Sequence, residues 1–292
     1  MTSQDASVML RPRAEALGAR LPPLLVAAQH LAQSIELGEH GRRQSGQGEA
    51  FWQYRRAQPG DPAHRIDWRR SARSDSHYVQ EKEWQAAHSV QIWIDPAPSL
   101  AFASDPDLPQ KRDQARLIGL ALASLLLRGG ERVGLLGGAQ PPGRGRLALS
   151  RMADHMLNAG DDAKLSHAAA VPHARQIVFS DFLGSLDETR DFVLAAQGRG
   201  QKGVLFQLLD PMEEAFPFQG RVLFQDVSGV LTHDTREAAD LRNRYLDRLA
   251  RRKAELSDLA KRAGWRFHTY HTHQPPSSAL LWLWNAIGGP AR

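Results

Sequence analysis

Two aspartates stand where strand-like apolar runs end. Asp95 closes "QIWID", with Ser99 four residues further on, and Asp181 follows Ser180 in "IVFSDF". In an open α/β sheet, ligands bind beyond the carboxyl ends of the strands, so polar residues at those ends are the first candidates for a site. Mg²⁺ takes oxygen ligands, often one or two carboxylates plus hydroxyls and water. Asp95, Ser99 and Asp181 could supply that set, and a metal-dependent hydrolase at Asp95 and Asp181 is one activity it would permit. The simpler reading is that both aspartates cap loops or helices, as aspartates commonly do.

A second concentration of chemistry is "RAQPGDPAHRIDWRRSAR", residues 56–73. Pro59-Gly60 suits the centre of a type II turn, and Asp61 before Pro62 suits a helix N-cap with proline at the first helical position. This predicts a short helix over "PAHRIDWRRSAR", on which Arg65, Arg69 and Arg73 share a face. Guanidinium groups pair bidentately with carboxylates and phosphates, so that row is a candidate partner surface. Asp67 and Trp68 are expected to hold the segment in place. With Arg42, Arg43, Arg55, Arg56 and Arg70, the 42–73 region could instead bind nucleic acid, with an affinity that falls steeply with salt.

Other constellations carry less. His271 and His273 in "HTYHTH" alternate along a strand and, with His268 nearby, could ligate a transition metal; the simpler reading is exposed polar side chains at a strand end. Ser180-Asp181 lacks a Gly-x-Ser-x-Gly elbow, and "GGERVGLLGG" has neither Gly-x-Gly-x-x-Gly nor Walker spacing. The sequence contains no cysteine, which removes thiolate, disulfide and iron–sulfur chemistry together. No residue is assigned a catalytic role.

The elements that must position these groups follow from hydrophobic periodicity. Leu24, Leu25, Ala28, Leu31, Ala32 and Ile35 recur at helical spacing up to Gly38. "AFWQYRR" and "HYVQEKEW" flank the arginine-rich stretch as strands. From residue 89 strands and helices alternate, which predicts an open, largely parallel sheet. "SVQIWID", "RVGLLGG", "GRLALS", "RQIVFSDF", "GVLFQLLD" and "WRFHTYH" read as strands. "QKRDQARLIGLALASLLLRGG", "RMADHMLNAG", "LDETRDFVLAAQGRG", 235–263 and "SALLWLWNAI" read as helices. "GRVLFQDVSGVLTHD" reads as a hairpin bending at Ser228-Gly229. Asp240/Arg244, Asp247/Arg251 and Asp258/Arg262 are spaced for pairing along the long helix.

With 292 residues, the chain can bury a full core. Its 37 basic and 32 acidic residues leave a formal charge of +5, a balance that favours acidic partners without forming a polybasic tract. The longest apolar runs, 117–127 and 279–289, fall short of a membrane span. A cytoplasmic setting is expected.

The stretch "GQGEAFWQYRRAQPGDPAHRIDWRRSAR" resembles the hallmark of domain of unknown function fifty-eight. Gly46 and Gly48 precede Phe51, and Pro59-Gly60-Asp61, Ile66-Asp67-Trp68 and Ser71-Ala72-Arg73 follow. "DPAPS" in turn resembles the Asp-x-Ser-x-Ser of von Willebrand factor A domains, whose metal-ion-dependent adhesion site adds a threonine and a further aspartate. Ala97, and the order Tyr54-Arg55-Arg56-Ala57, depart from the respective patterns. The resemblance implies a von Willebrand A-like, Rossmann-like open sheet at 88–292, flanked by helices. A region of residues 1–87 would carry the N-terminal helix and a small β-containing insert packed on the sheet. It further implies a bacterial, non-enzymatic adaptor acting with a MoxR-type AAA+ ATPase in chaperone-like maturation or stress response, through a degenerate adhesion site.

Overall fold

A computed structural model describes residues 24–34, 45–58, 66–72, 76–83, 89–158, 164–218, 222–225, 232–235 and 238–288. They fall into two compact units divided at 37/38 and 87/88. The larger unit holds helix α1 (residues 24–33) and everything described after residue 88; the smaller holds the hallmark stretch.

Five strands of the larger unit form one parallel sheet: β3 (Ser89–Ile94), β4 (Arg132–Leu135), β5 (Arg175–Ser180), β6 (Gly203–Leu209) and β9 (Arg266–His271), in the order β4-β3-β5-β6-β9. Ile92 pairs with Ile177, Val178 with Leu205, and Phe206 with His268. Alternate residues point to opposite faces. Ile177, Phe179, Val204 and Phe206 therefore enter one core, while Val178 and Leu205 enter another. Burial on both faces is why these strands read as unbroken apolar runs.

The first core takes α1, α3 (Lys111–Arg128), α4 (Gly145–Asn158) and α8 (Pro276–Gly288); the second takes α5 (Asp187–Gly198) and α7 (Ala238–Arg262). The result is a three-layer, Rossmann-like α/β fold. Helix α3 is buried over most of its circumference, from Ala115 to Leu126, which explains its apolar sequence. α1 sends Ala28 and Ala32, both fully buried, into the first core. It therefore belongs to the larger unit, not with the hallmark as a single boundary at residue 87 would have it.

"GRLALS" is a further correction. It is not a strand but the first half of α4, because Ala148, Leu149, Met152, Ala153 and Met156 form one continuous buried stripe. A lone bridge between Val133 and Gly143 is all the antiparallel pairing found there. Helix α6 (Pro211–Ala215) follows β6, and strands β7 (Val222–Gln225) and β8 (Thr232–Thr235) form the expected antiparallel hairpin, with Ser228-Gly229 outside the described residues. On α7, Arg251 Nε donates to the carbonyl of Asp247 rather than to its carboxylate, and Asp258 and Arg262 form no ion pair among the described residues. The Asp240 side chain lies outside them.

In the smaller unit, β1 (Ser45–Arg56) pairs antiparallel with β2 (Tyr78–Glu83), with register shifts on either side of Phe51. The intervening helix α2 covers only Trp68–Ser71. Ile66 is bridged to Val79, and Asp67 N–H donates to the Tyr78 carbonyl, so the chain is still extended where a helix begun at Asp61 would already be winding.

Candidate functional site

The strand order reverses beside β3: the chain passes from β3 outward to β4, then back across to β5 on the other side. Such a switch point opens a crevice at the carboxyl ends of the strands. Asp95 leaves β3 and Ser180-Asp181 leaves β5 at that crevice, which they cross. Ser180 Oγ donates to Asp95 Oδ2 at 2.5 Å, and Asp95 N–H donates to the Phe179 carbonyl at 2.8 Å.

Each carboxylate is occupied. Asp95 Oδ1 accepts from Ala97 N–H at 2.9 Å, which shapes the Pro96–Pro98 turn. Asp181 Oδ1 accepts from Leu183 N–H at 3.1 Å, and its Oδ2 accepts from Lys111 Nζ at 3.0 Å. The same ammonium donates to Glu213 Oε1 at 2.6 Å. Lys111 is the first residue of α3 and its side chain is fully buried, lying over the Phe102 ring. Glu213 Oε2 in turn accepts from Asp210 N–H, while the buried Asp210 carboxylate accepts from Met212 N–H and from Ser104 N–H. A capping box on α6 and the loop before α3 are thereby tied to the same cluster.

Burial pushes the Asp95 carboxyl up; hydrogen bonds from Ser180 and Ala97 oppose this, and the charges of Asp181 and Glu188 add to it. Glu213 is also raised, by burial against the opposing pull of Lys111. Tyr245, whose hydroxyl donates to the Glu213 carbonyl at 2.6 Å, is pushed up to about 12 by burial and by the charges of Glu213, Glu214 and Asp181. Phe182 takes a left-handed backbone, φ 51°, directly after Asp181. Its N–H donates to Ser180 Oγ and its ring is buried in the second core, which holds this strained corner.

The residues do not fit a Mg²⁺ set of Asp95, Ser99 and Asp181. Ser99 sits in the 3₁₀ turn Pro98–Ala101. Asp181 already serves an ammonium, which would repel a divalent ion beside it. No three His, Asp or Glu side chains among the described residues converge as metal ligands. Nor is Ser180 presented as a nucleophile: it is buried, donates to Asp95 and accepts from Phe182.

Asp210, Lys111 and Glu213 escaped the sequence reading. Asp210 and Glu213 were findable, because Asp-Pro-x-Glu is a capping-box pattern. Lys111 carried a subtler signal: a cation in the first turn opposes the helix dipole.

The histidines do other work. His268 stacks on Trp282 with ring centroids 4.4 Å apart, and burial, then His271, pulls its pKa down. His271 hydrogen-bonds Glu214, which also accepts from Lys253 Nζ at 2.5 Å; its ring lies 5.7 Å from that of His273. Burial alone would raise the Glu214 carboxyl, but these partners outweigh it and hold it below its ordinary value.

In the smaller unit, Asp67 caps α2 by accepting from Arg70 N–H at 3.0 Å. Ser71 Oγ donates to the Asp67 carbonyl and accepts from Tyr78 N–H, tying α2 to β2. Trp68 is 57 % exposed and meets His77 edge-on. Arg69 is exposed, and the Arg70 guanidinium lies over the Tyr78 ring. Pro59, Gly60, Asp61, Arg65 and Arg73, with Arg42 and Arg43, lie outside the described residues, as does the side chain of Arg55.

The family model described as "Protein of unknown function DUF58" matches residues 53–255. An uncharacterized protein of Mycobacterium tuberculosis strain H37Rv, Rv1480, is 28% identical over 268 residues, covering 85% of this chain and 82% of its own. The uncharacterized protein Mb1516 of Mycobacterium bovis aligns equally. Among solved structures, BatB of Bacteroides thetaiotaomicron overlaps 69% of this chain and 97% of its own, at 14% identity and a TM-score of 0.44. An aerotolerance-related membrane protein of Bacteroides fragilis gives 69%, 98%, 16% and 0.41. Among the described residues, no helix is long and apolar enough to cross a membrane.

Proposed function

The chain belongs to the DUF58 family, and we propose that it is a non-enzymatic interaction module with a von Willebrand A-like sheet, whose rim docks a MoxR-type AAA+ ATPase in chaperone-like maturation or stress response. The observation that carries this reading is the mutual engagement of the rim's charged groups. Bonds spanning 70 to 106 residues of sequence join the loops after β3, β5 and β6: Ser180 to Asp95, Lys111 to Asp181 and Glu213, Ser104 to Asp210. Loops locked in this way lose little freedom on association, which suits a docking face. The choice of an ATPase rests on the family resemblance.

Co-purification with the MoxR-type ATPase encoded nearest the gene, with and without ATP and Mg²⁺, tests the proposal. Binding weakened by substitutions in the Pro96–Phe102 loop is expected. Absence of binding under all conditions overturns it. Retention on nucleic acid at low salt would favour the basic 42–73 region as the partner surface instead.

A further inference from the structure

We propose that the Lys111 ammonium is this protein's permanent substitute for a divalent cation at the switch-point crevice, so that rim assembly needs no metal and a metal can enter only where Lys111 is absent.

The placement of Lys111 is otherwise hard to account for. A lysine is almost never fully buried unless paired, and removal of its charge from water is costly. Lys111 moreover stands in the first turn of an 18-residue helix, where the dipole disfavours a cation. Two separate penalties fall on one side chain. Both are offset by Asp181 and Glu213, whose oxygens approach the same Nζ at 3.0 and 2.6 Å from loops 70 and 102 residues away. Distances of this kind mark charge-assisted hydrogen bonds.

The cluster is richer in carboxylates than one ammonium can neutralise. Asp181 and Glu213 contact Lys111 directly, Asp95 sits close enough to Asp181 for their charges to interact, and Asp210 is joined to Glu213. Removing the ammonium leaves the buried Asp181 carboxylate and the partly buried Glu213 carboxylate facing one vacated point. That is the minimum a hard divalent ion requires when water completes its shell. The inference does not depend on which partner, if any, the rim engages.

Mn²⁺ binding to the full chain, followed by electron paramagnetic resonance, tests it. Wild-type protein is expected to show no Asp181-dependent binding up to about 1 mM, the weak end of protein cation sites. Lys111→Ala is expected to bind Mn²⁺ at least tenfold more tightly than wild type and to be thermally stabilised by it. Both effects should vanish in Lys111→Ala/Asp181→Asn. Wild-type binding that Asp181→Asn abolishes overturns the proposal, as does a folded Lys111→Ala that takes up no Mn²⁺. Should Lys111→Ala fold only with Mn²⁺ present, the ion has replaced the side chain. If it does not fold at all, wild-type protein labelled with ¹⁵N-lysine decides: an exchange-protected ammonium signal that shifts in Asp181→Asn and ignores Mg²⁺ supports the assignment. Its absence overturns it.

Discussion

Lys111 Nζ and Glu213 Oε1 lie 2.6 Å apart at the head of the sheet, one at the start of α3 and the other in α6, with Asp181 closing the group from β5. The contact joins three βα loops through one buried cation, so its loss should be felt across the rim.

Lys111→Met removes the charge and keeps most of the stem. Breaking a buried ion pair by deleting one partner costs about 3–5 kcal/mol, because the orphaned carboxylates remain out of water. Urea denaturation at pH 7 is expected to show a loss in that range. At pH 4 the loss should be smaller, since burial raises the Glu213 carboxyl and, once protonated, it no longer strands a charge. A loss independent of pH would contradict the pairing.

Asp95 has the opposite pH signature to an ordinary salt-bridged aspartate. Its folded pKa stands above the ordinary 3.8, so across the interval between the two values the folded state holds more protons than the unfolded. Stability from this group is therefore present below 3.8 and declines as pH rises through the folded value. Asp95→Asn should flatten that decline in melting temperature measured between pH 3.5 and 7, although one of the bonds to Ser180 and Ala97 is lost.

Glu214 runs the other way. Held below its ordinary 4.5 by Lys253 and His271 against the effect of burial, it contributes stability above that value and loses it as pH falls through the folded pKa. The Glu214 side chain is 41% exposed, so solvent screening limits the contribution to about 1 kcal/mol or less. Glu214→Gln should lower stability at pH 7 by that amount and by less as pH falls below 4.5, as read from denaturation midpoints.

Gly203 is a steric requirement of the sheet. A Cβ there would meet the Gln176 carbonyl at 2.5 Å and the Trp265 ring at 2.7 Å, where β5, β6 and the approach to β9 converge. Gly203→Ala should destabilise by about 1–3 kcal/mol, as overpacking does. The Trp265 indole donates to the Gln201 carbonyl, so its fluorescence should report the displacement.

Asp67 tests the smaller unit. Loss of an N-cap costs about 0.5–2 kcal/mol. Asp67→Ala should loosen α2, and Asp67→Asn, which retains a capping oxygen, should restore most of the effect. Hydrogen exchange at the Arg70 amide is the readout.

Several elements were legible from local pattern alone. The strands at 89–94, 175–180, 203–209 and 266–271 announce themselves as apolar runs because both faces are buried, and α3 ends at Gly129-Gly130, with Gly130 in a left-handed conformation. The first half of α4 reads as a strand because "LAL" alternates over three residues, and only the longer stripe through Met156 reveals the helix. In the hallmark, Asp61-Pro62 lies outside the described residues; pairing of Ile66 with Val79 keeps the chain extended at Ile66, and the described helix is capped by Asp67.

By itself, the sequence determined the α/β alternation, the aspartates at strand ends and the family hallmark, since each depends on residues adjacent in the chain. Only the tertiary structure decided that β5 returns beside β3 and that Lys111, Asp181 and Glu213 meet. The physical reason is range. Periodicity reports which face of an element is buried, but a buried ammonium is tolerable only where distant loops deliver its counter-charges, and no local pattern encodes that delivery.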